Sequence, residues 1–400
     1  MAETALAQPP GAVRWATPQR LRAYSIILIG AYLAALVWLA ATSHAGIDYA
    51  GRPLGTDFSD VWTAGRLALS GHPASVYDPA AHYAAQQAAF HDPRIPFYGW
   101  HYPPMFLLAA SLLALLPYLA AVVVWQGLTL PLYLVTIRGI VPEKGTMLLA
   151  LAFPAVFMNL THGQNGFLTA ALIGGGLLIL DRRPWLAGVM FGLLAYKPQF
   201  GVLLPLALLA EGRWRTIVAA GLTVIAAASL AYLVFGVETW RAFLANTAFT
   251  RHTVLEQGGA GFWKIQSIFA AVRMWGGSIG LAYGVQTAAG LAAALTVFLL
   301  WRSGADRRLK AAGLIAGAFL CTPYGFDYDF VALAPAGAFL VSYGRERGLR
   351  TSELLALILA FAAPIITRAA AMWLMLPLGM IAVSLLLVVV VRRGLEPQPT

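Results

Sequence analysis

The chain has 400 residues, 60% of them hydrophobic and only 11% charged, with a mean hydropathy of +0.72. A soluble domain carries roughly twice that charged fraction, so a soluble globular class is excluded. The formal net charge of +10 does not point to nucleic acid. Its Lys and Arg residues cluster between apolar runs, as cytoplasmic loops do under the positive-inside rule.

Residues 1–22 read as a cytoplasmic tail. The first apolar run, Ala23 to Ala41, follows Arg14, Arg20 and Arg22. It exceeds a typical signal-peptide core and reads as an uncleaved first span. A first outer loop over 43–117 follows. In it "GIDYAGRPLGTDF" is irregular, while "SDVWTAGRLALSG" and "DPAAHYAAQQAAF" read as short surface helices. Asp78 before Pro79 is an expected N-cap with proline at the first helical position.

Residues 103–117 are short for a span and bracketed by prolines, so they are placed on or in the outer membrane face. Tyr118 to Ile137 then crosses. The alternative makes 103–137 two spans, with Arg138 and Lys144 outside. Beyond these, 146–180 forms a hairpin tipped by "THGQNG" and 185–211 a second tipped by "YKPQ". Residues 216–235 lead to a second large outer loop, 236–277, and 279–301 return. Residues 311–342 form a third hairpin tipped by "TPYGFDYD", and 353–391 the last pair, before a tail at 394–400. The whole is an all-α polytopic membrane protein with about twelve spans in a single domain, 23–393. Several hairpin arms hold about 12–14 residues, roughly 18–21 Å of helix, so their polar tips belong below the membrane surface in protein or in a wet cavity.

This topology gathers the unusual polar residues on one face. They are Asp57 and Asp60 after span 1, His101 and Tyr102 before the proline pair, and His162, Gln164 and Asn165 on the first hairpin tip. Lys197 and Gln199 tip the second hairpin, Arg251 and Lys264 lie in the second outer loop, and Tyr324, Asp327 and Asp329 tip the third. Ionisable groups at membrane depth are functional candidates. Each also has a plainer reading. Asp57 can cap the following helix, and Asp60 can answer its dipole. "HGQNG" can be a turn, and Lys197 can snorkel to a headgroup. The mixture suits a sugar through its amides, hydroxyls and carboxylates, and a phosphate through its Lys and Arg. One carboxylate can serve as general base on an acceptor hydroxyl. No metal-ligand spacing and no phosphate-binding Gly-rich loop occurs, so no metal or other cofactor is expected. A soluble nucleotide sugar finds no home here, whereas a lipid-phosphate sugar fits a membrane cavity. The single cysteine, Cys321, excludes an intramolecular disulfide and reads as a packing residue.

At "GTDF", "GHPASVYDP", "HYPPMF", "GQNG" and "YKPQ" the sequence resembles the membrane glycosyltransferases of the C-type fold, and most of all glycosyltransferase family 87. "PYGFDYDF" is a looser match. The resemblance implies inverting transfer of a hexose, mannose above all, from a polyprenyl-phosphate donor to a hydroxyl of a lipid or glycan acceptor, at the non-cytoplasmic side of the plasma membrane. It also implies horizontal helices in the first outer loop and an acidic general base there, which maps onto Asp57. Lys197 is then the first choice for the departing phosphate, with Arg251, Lys264 and His162 in reserve, and Gln164, Asn165 and Asp327 hold sugar hydroxyls. The main rival is a multispan transporter or flippase of a lipid-linked sugar. The polar groups cluster at one face rather than at the midplane, and no inverted repeat is visible, which disfavours it.

Overall fold

The structure is a computed structural model describing residues 17–396; the outer parts of the two expected tails lie outside the described residues. Among these residues all regular structure is helical, with isolated β-bridges only. Helix α1 (Pro18–Ala41) begins at Thr17, whose hydroxyl accepts the Arg20 N–H at 3.3 Å, with proline at the first turn. Only Ser25 is buried along it. It docks through Tyr32, which stacks on Phe157 with centroids 4.9 Å apart and donates to the Ala152 carbonyl at 3.2 Å.

The next helices are α2 (Phe58–Leu69), α3 (Pro79–Phe90) and α4 (Pro104–Leu113). Asp78 caps α3 as expected, its carboxylate accepting the N–H groups of Ala80 at 2.9 Å and Ala81 at 3.3 Å. Helix α2 differs from the surface helix expected. Phe58, Ser59, Asp60, Val61, Thr63, Ala64 and Gly65 are all buried, because α4 folds back across it. Gly65 sits at the crossing, where a Cβ would lie 2.2 Å from the Ala110 carbonyl oxygen and 2.6 Å from the Ala114 Cβ. A helical Gly→Ala change ordinarily stabilises by about 1 kcal/mol. Here overlap decides the sign. Gly65→Ala is expected to destabilise by about 1–3 kcal/mol, read as a lower melting temperature in detergent. Gly30→Ala is the control, since a Cβ there meets nothing within 4 Å.

Helix α5 (Tyr118–Ile140) starts directly after Pro117, at the expected break. The first hairpin is α6 (Thr146–Ala152), α7 (Pro154–His162) and α8 (Gly166–Ile179), with Phe153–Pro154 breaking its first arm. The second hairpin is α9 (Pro184–Leu193), α10 (Pro198–Gly201) and α11 (Leu204–Ala210). Helix α12 (Trp214–Thr250) lies against α9 through Gly188 and Gly192, where Cβ atoms would come within 2.5 Å of the Thr216 carbonyl and 2.7 Å of the Ala220 carbonyl. This is a small-xxx-small contact of the membrane-helix kind. Gly236 breaks α12 at φ 77°, ψ 171°, a conformation reserved for glycine. Beyond it the chain stays helical to Glu256 rather than opening into an irregular loop, and its second limb meets Pro73–Tyr77 through a Tyr77–Phe243 contact.

The remainder is α13 (Ile268–Met274), α14 (Ile279–Arg302), α15 (Arg307–Cys321), α16 (Ala334–Arg347), α17 (Thr351–Leu374) and α18 (Leu378–Leu395). A 3-10 turn, Asp327–Leu333, joins α15 to α16. Among the described residues six helices are long and apolar enough to cross a membrane: α1, α5, α12 with its extension to Glu256, α14, α17 and α18. The shorter apolar helices fill the core between them. At the end away from the hairpin tips, Glu211 gathers Arg213, Arg307 and Lys310 within 3.1 Å and ties two connections together, and Asp181, pairing with Arg213 and Arg307, adds a third. Cys321 donates its thiol to the Gly290 carbonyl at 3.3 Å.

Candidate active site

The hairpin tips converge because their glycines and prolines permit it. Gly163 ends α7 in the left-handed region, φ 61°, and the Gln164 N–H closes back on the Asn159 carbonyl at 3.1 Å. A Cβ on Gly163 would lie 2.5 Å from the Phe58 Cβ and 2.9 Å from the Gly55 carbonyl. The missing side chain is what lets the tip rest on the Gly55–Phe58 turn. Asn159 holds the tip from behind. It is fully buried, donates to the Gln164 carbonyl at 3.0 Å and to Gln126 at 3.3 Å, and accepts the Gly166 N–H at 2.8 Å. Asn159 opens an Asn159-Leu160-Thr161 stretch of the N-glycosylation pattern, but its side chain is buried and committed to these bonds, a structural role.

Asp57 stands at the N-cap of α2 but makes no capping bond. Its Oδ2 instead accepts the Gln164 side-chain N–H at 2.8 Å. The amide is oriented in turn by Tyr102, whose hydroxyl donates to Gln164 Oε1 at 3.3 Å and accepts from the Asn165 amide at 2.8 Å. The run Asn165, Tyr102, Gln164, Asp57 passes hydrogen bonds one way and ends on a carboxylate. Asp57 is half-buried, and its Oδ1 has no hydrogen-bond partner among the described residues. A base needs such an oxygen.

Asp60 lies one turn further along α2, only 6% exposed, with Oδ1 buried and unpartnered. Burial first, and the Asp57 charge second, push its carboxyl well above the usual carboxylate range. The helix dipole therefore meets a carboxyl whose charged form is disfavoured by burial. The carboxyl takes up a proton on folding, so its contribution to stability is greatest below about pH 4 and is lost as the pH rises through the folded-state value.

Two ion pairs involve the other hairpin tips and α17. Lys197 Nζ meets Asp329 Oδ1 at 2.6 Å, with the two side chains 7% and 1% exposed, and lies over the rings of Tyr328 and Phe200. Asp329 also accepts the Phe326 N–H at 3.0 Å. Arg368 of α17 pairs with the fully buried Asp327 through Nε and Nη2. Arg368 Nη2 also donates to His162 Nε2 at 3.2 Å, while His162 Nδ1 donates to the Met158 carbonyl at 2.8 Å. That pair of bonds assigns a neutral imidazole with its proton on Nδ1.

Asp57, Asp60, Tyr102, His162, Gln164, Asn165, Lys197, Asp327 and Asp329 are thus assembled in one polar region. Five further candidates stand apart from these contacts. His101 is exposed and bonds Thr250 at 2.9 Å. Gln199 is half-exposed. Arg251 is exposed and pairs with Glu256 at 3.4 Å. Tyr324 packs with Leu255, Phe269, Val272 and Ala282. Lys264 contributes its backbone carbonyl to the Asp327 N–H at 3.1 Å, while its side chain is half-exposed. Sequence reasoning missed Gln126, Asn159 and, above all, Arg368. A single arginine within the apolar run of α17 was the available signal.

The model of glycosyltransferase family 87 matches residues 100–323, more than half of the chain. The chain belongs to glycosyltransferase family 87. No curated protein and no solved structure matches it. The family 87 match takes in the "GQNG" and "YKPQ" tips with Tyr102 and Lys197. Asp57 and Asp60 lie before it, and Asp327, Asp329 and Arg368 after it. The polar region of this family 87 protein therefore joins matched and unmatched segments.

Proposed function

We propose that this protein is an inverting hexosyltransferase of C-type architecture. It moves a hexose, mannose in the first instance, from a polyprenyl-phosphate donor to a hydroxyl of a lipid or glycan acceptor. Asp57 takes the acceptor proton through Oδ1 as the hydroxyl attacks the anomeric carbon, and the bond to phosphate breaks. A phosphate leaves as an anion, so the step asks for one base and no general acid. Gln164 and Asn165 hold Asp57 and face sugar hydroxyls, and Asp60 supports the start of α2. The reading includes about twelve crossings, counting short hairpin arms as spans, with the N-terminus cytoplasmic and the site on the extracytoplasmic side of the plasma membrane.

The observation that carries the reading is the Asp57–Gln164 bond of 2.8 Å, made in place of a helix cap. Family membership supplies the reaction class. The polar groups sit at one end of the helices, an arrangement less suited to a transporter, whose sites lie near the midplane.

The test offers purified protein a polyprenyl-phosphate mannose and a nucleotide-linked mannose in parallel, with envelope lipids as acceptor. Release of polyprenyl phosphate with a mannosylated lipid is expected from the first alone. Transfer from the nucleotide sugar, or from neither donor, refutes the proposal.

A further inference from the structure

The proposed reaction requires a cation at the departing phosphate, and two are within reach. Lys197 is poorly placed for the task. Its ammonium is enclosed by Asp329 and two aromatic rings, with the side chain 7% exposed. Contact with a substrate would require that buried pair to open, leaving Asp329 without its partner. Arg368 differs on each count. Its side chain is 31% exposed although it projects from an apolar helix. Nε and Nη2 are committed to Asp327, and Nη2 also to His162, whereas Nη1 has no hydrogen-bond partner among the described residues. The guanidinium is held rigidly on one side and free on the other. A planar fork with free N–H groups suits a phosphate oxygen.

Its mounting is also constrained. The neighbouring Thr367 donates to Gln266 at 2.7 Å and accepts the Gly379 N–H at 3.2 Å, fixing this turn of α17. The Gln266 N–H donates to the Gly325 carbonyl at 2.6 Å, beside the Asp327 turn. Arg368 and its counter-ion are thus set by one connected frame.

We infer that Arg368, through Nη1, binds the phosphate of a polyprenyl-phosphate lipid. Asp327 and His162 are its positioning residues. The inference rests on the proposed transfer reaction for its ligand, but its test does not require turnover.

Binding of farnesyl phosphate, farnesol, phosphatidic acid and inorganic phosphate is measured on purified protein by native mass spectrometry. The wild type is compared with the Arg368→Gln/Asp327→Asn double variant, which removes both charges together and leaves no buried carboxylate unpaired. Arg368→Lys is a second variant, keeping the charge and losing the fork. Loss of a charge-assisted contact weakens farnesyl phosphate binding roughly 10–100-fold in the double variant. Binding through Arg368→Lys falls between the two, and farnesol binding is unchanged. Equal farnesyl phosphate affinity in wild type and double variant overturns the assignment. An equal Arg368-dependent gain for phosphatidic acid overturns the polyprenyl source in favour of a bilayer headgroup, and one for inorganic phosphate alone overturns the lipid. Arg368-dependent farnesyl phosphate binding without any sugar transfer keeps the site and removes only the proposed reaction.

Discussion

Asp57→Asn is expected to lower sugar transfer by about 100- to 10,000-fold, the usual contribution of a positioned general base. The substitution is isosteric, and its amide oxygen can still accept the Gln164 N–H that now meets Oδ2 at 2.8 Å. The fold and the Asn165–Tyr102–Gln164 run should therefore survive, and the loss should fall on the chemical step. Single-turnover rates with bound donor test this, with melting temperature as the check on folding. A folded variant turning over near the wild-type rate removes Asp57 from the role. Asp60 is expected to behave differently. Asp60→Asn removes a buried carboxyl raised by desolvation, so the part of the fall in stability above about pH 4 that Asp60 contributes is expected to disappear. The same melting assay across pH separates the two aspartates.

The second large effect is expected at the Lys197–Asp329 pair. Lys197→Met leaves a carboxylate that is 1% exposed without its partner. Breaking a buried pair from one side costs about 3–5 kcal/mol. The double variant Lys197→Met/Asp329→Asn is expected to recover most of that loss, since the amide oxygen can still accept the Phe326 N–H now bonded to Asp329. Melting in detergent measures both. A single variant as stable as the wild type would show that the pair is not ionised or not formed. Recovery of stability in the double variant without recovery of transfer would place the Lys197–Asp329 pair in the chemistry as well as in the fold. This separation matters because a bare Lys197→Ala activity measurement would mix the two effects.

Much of the helical framework was legible because its signals are local. Apolar length marked α1, α5, α14 and the pair α17 and α18, and Asp78 with Pro79 marked the start of α3. Pro117 separated α4 from α5 for a similar reason, since proline interrupts backbone hydrogen bonding wherever it falls. The burial of α2 was not legible. Its pattern suits a surface helix, and only the return of α4 across Gly65 covers it. Arg368 was legible in principle as a lone charge in an apolar run. Its partners, 41 and 206 residues away in the chain, were not.

The sequence by itself determined a polytopic helical membrane protein, the family resemblance, and a set of polar residues on a few helix breaks. Hydropathy, proline and glycine act over one or two turns, so they can be read in order along the chain. It left Asp57 divided between helix cap and base, and read Asp60 as serving the helix start. Tertiary structure shows that Asp57 makes no cap bond and that Asp60 is buried. Gln164, 107 residues on, takes Asp57 away from its helix, and a glycine at 163 allows that approach. Covering α2 then strips water from Asp60 and raises its carboxyl above the usual carboxylate range. Close approach and desolvation depend on which surfaces meet, and no local pattern in the chain records that.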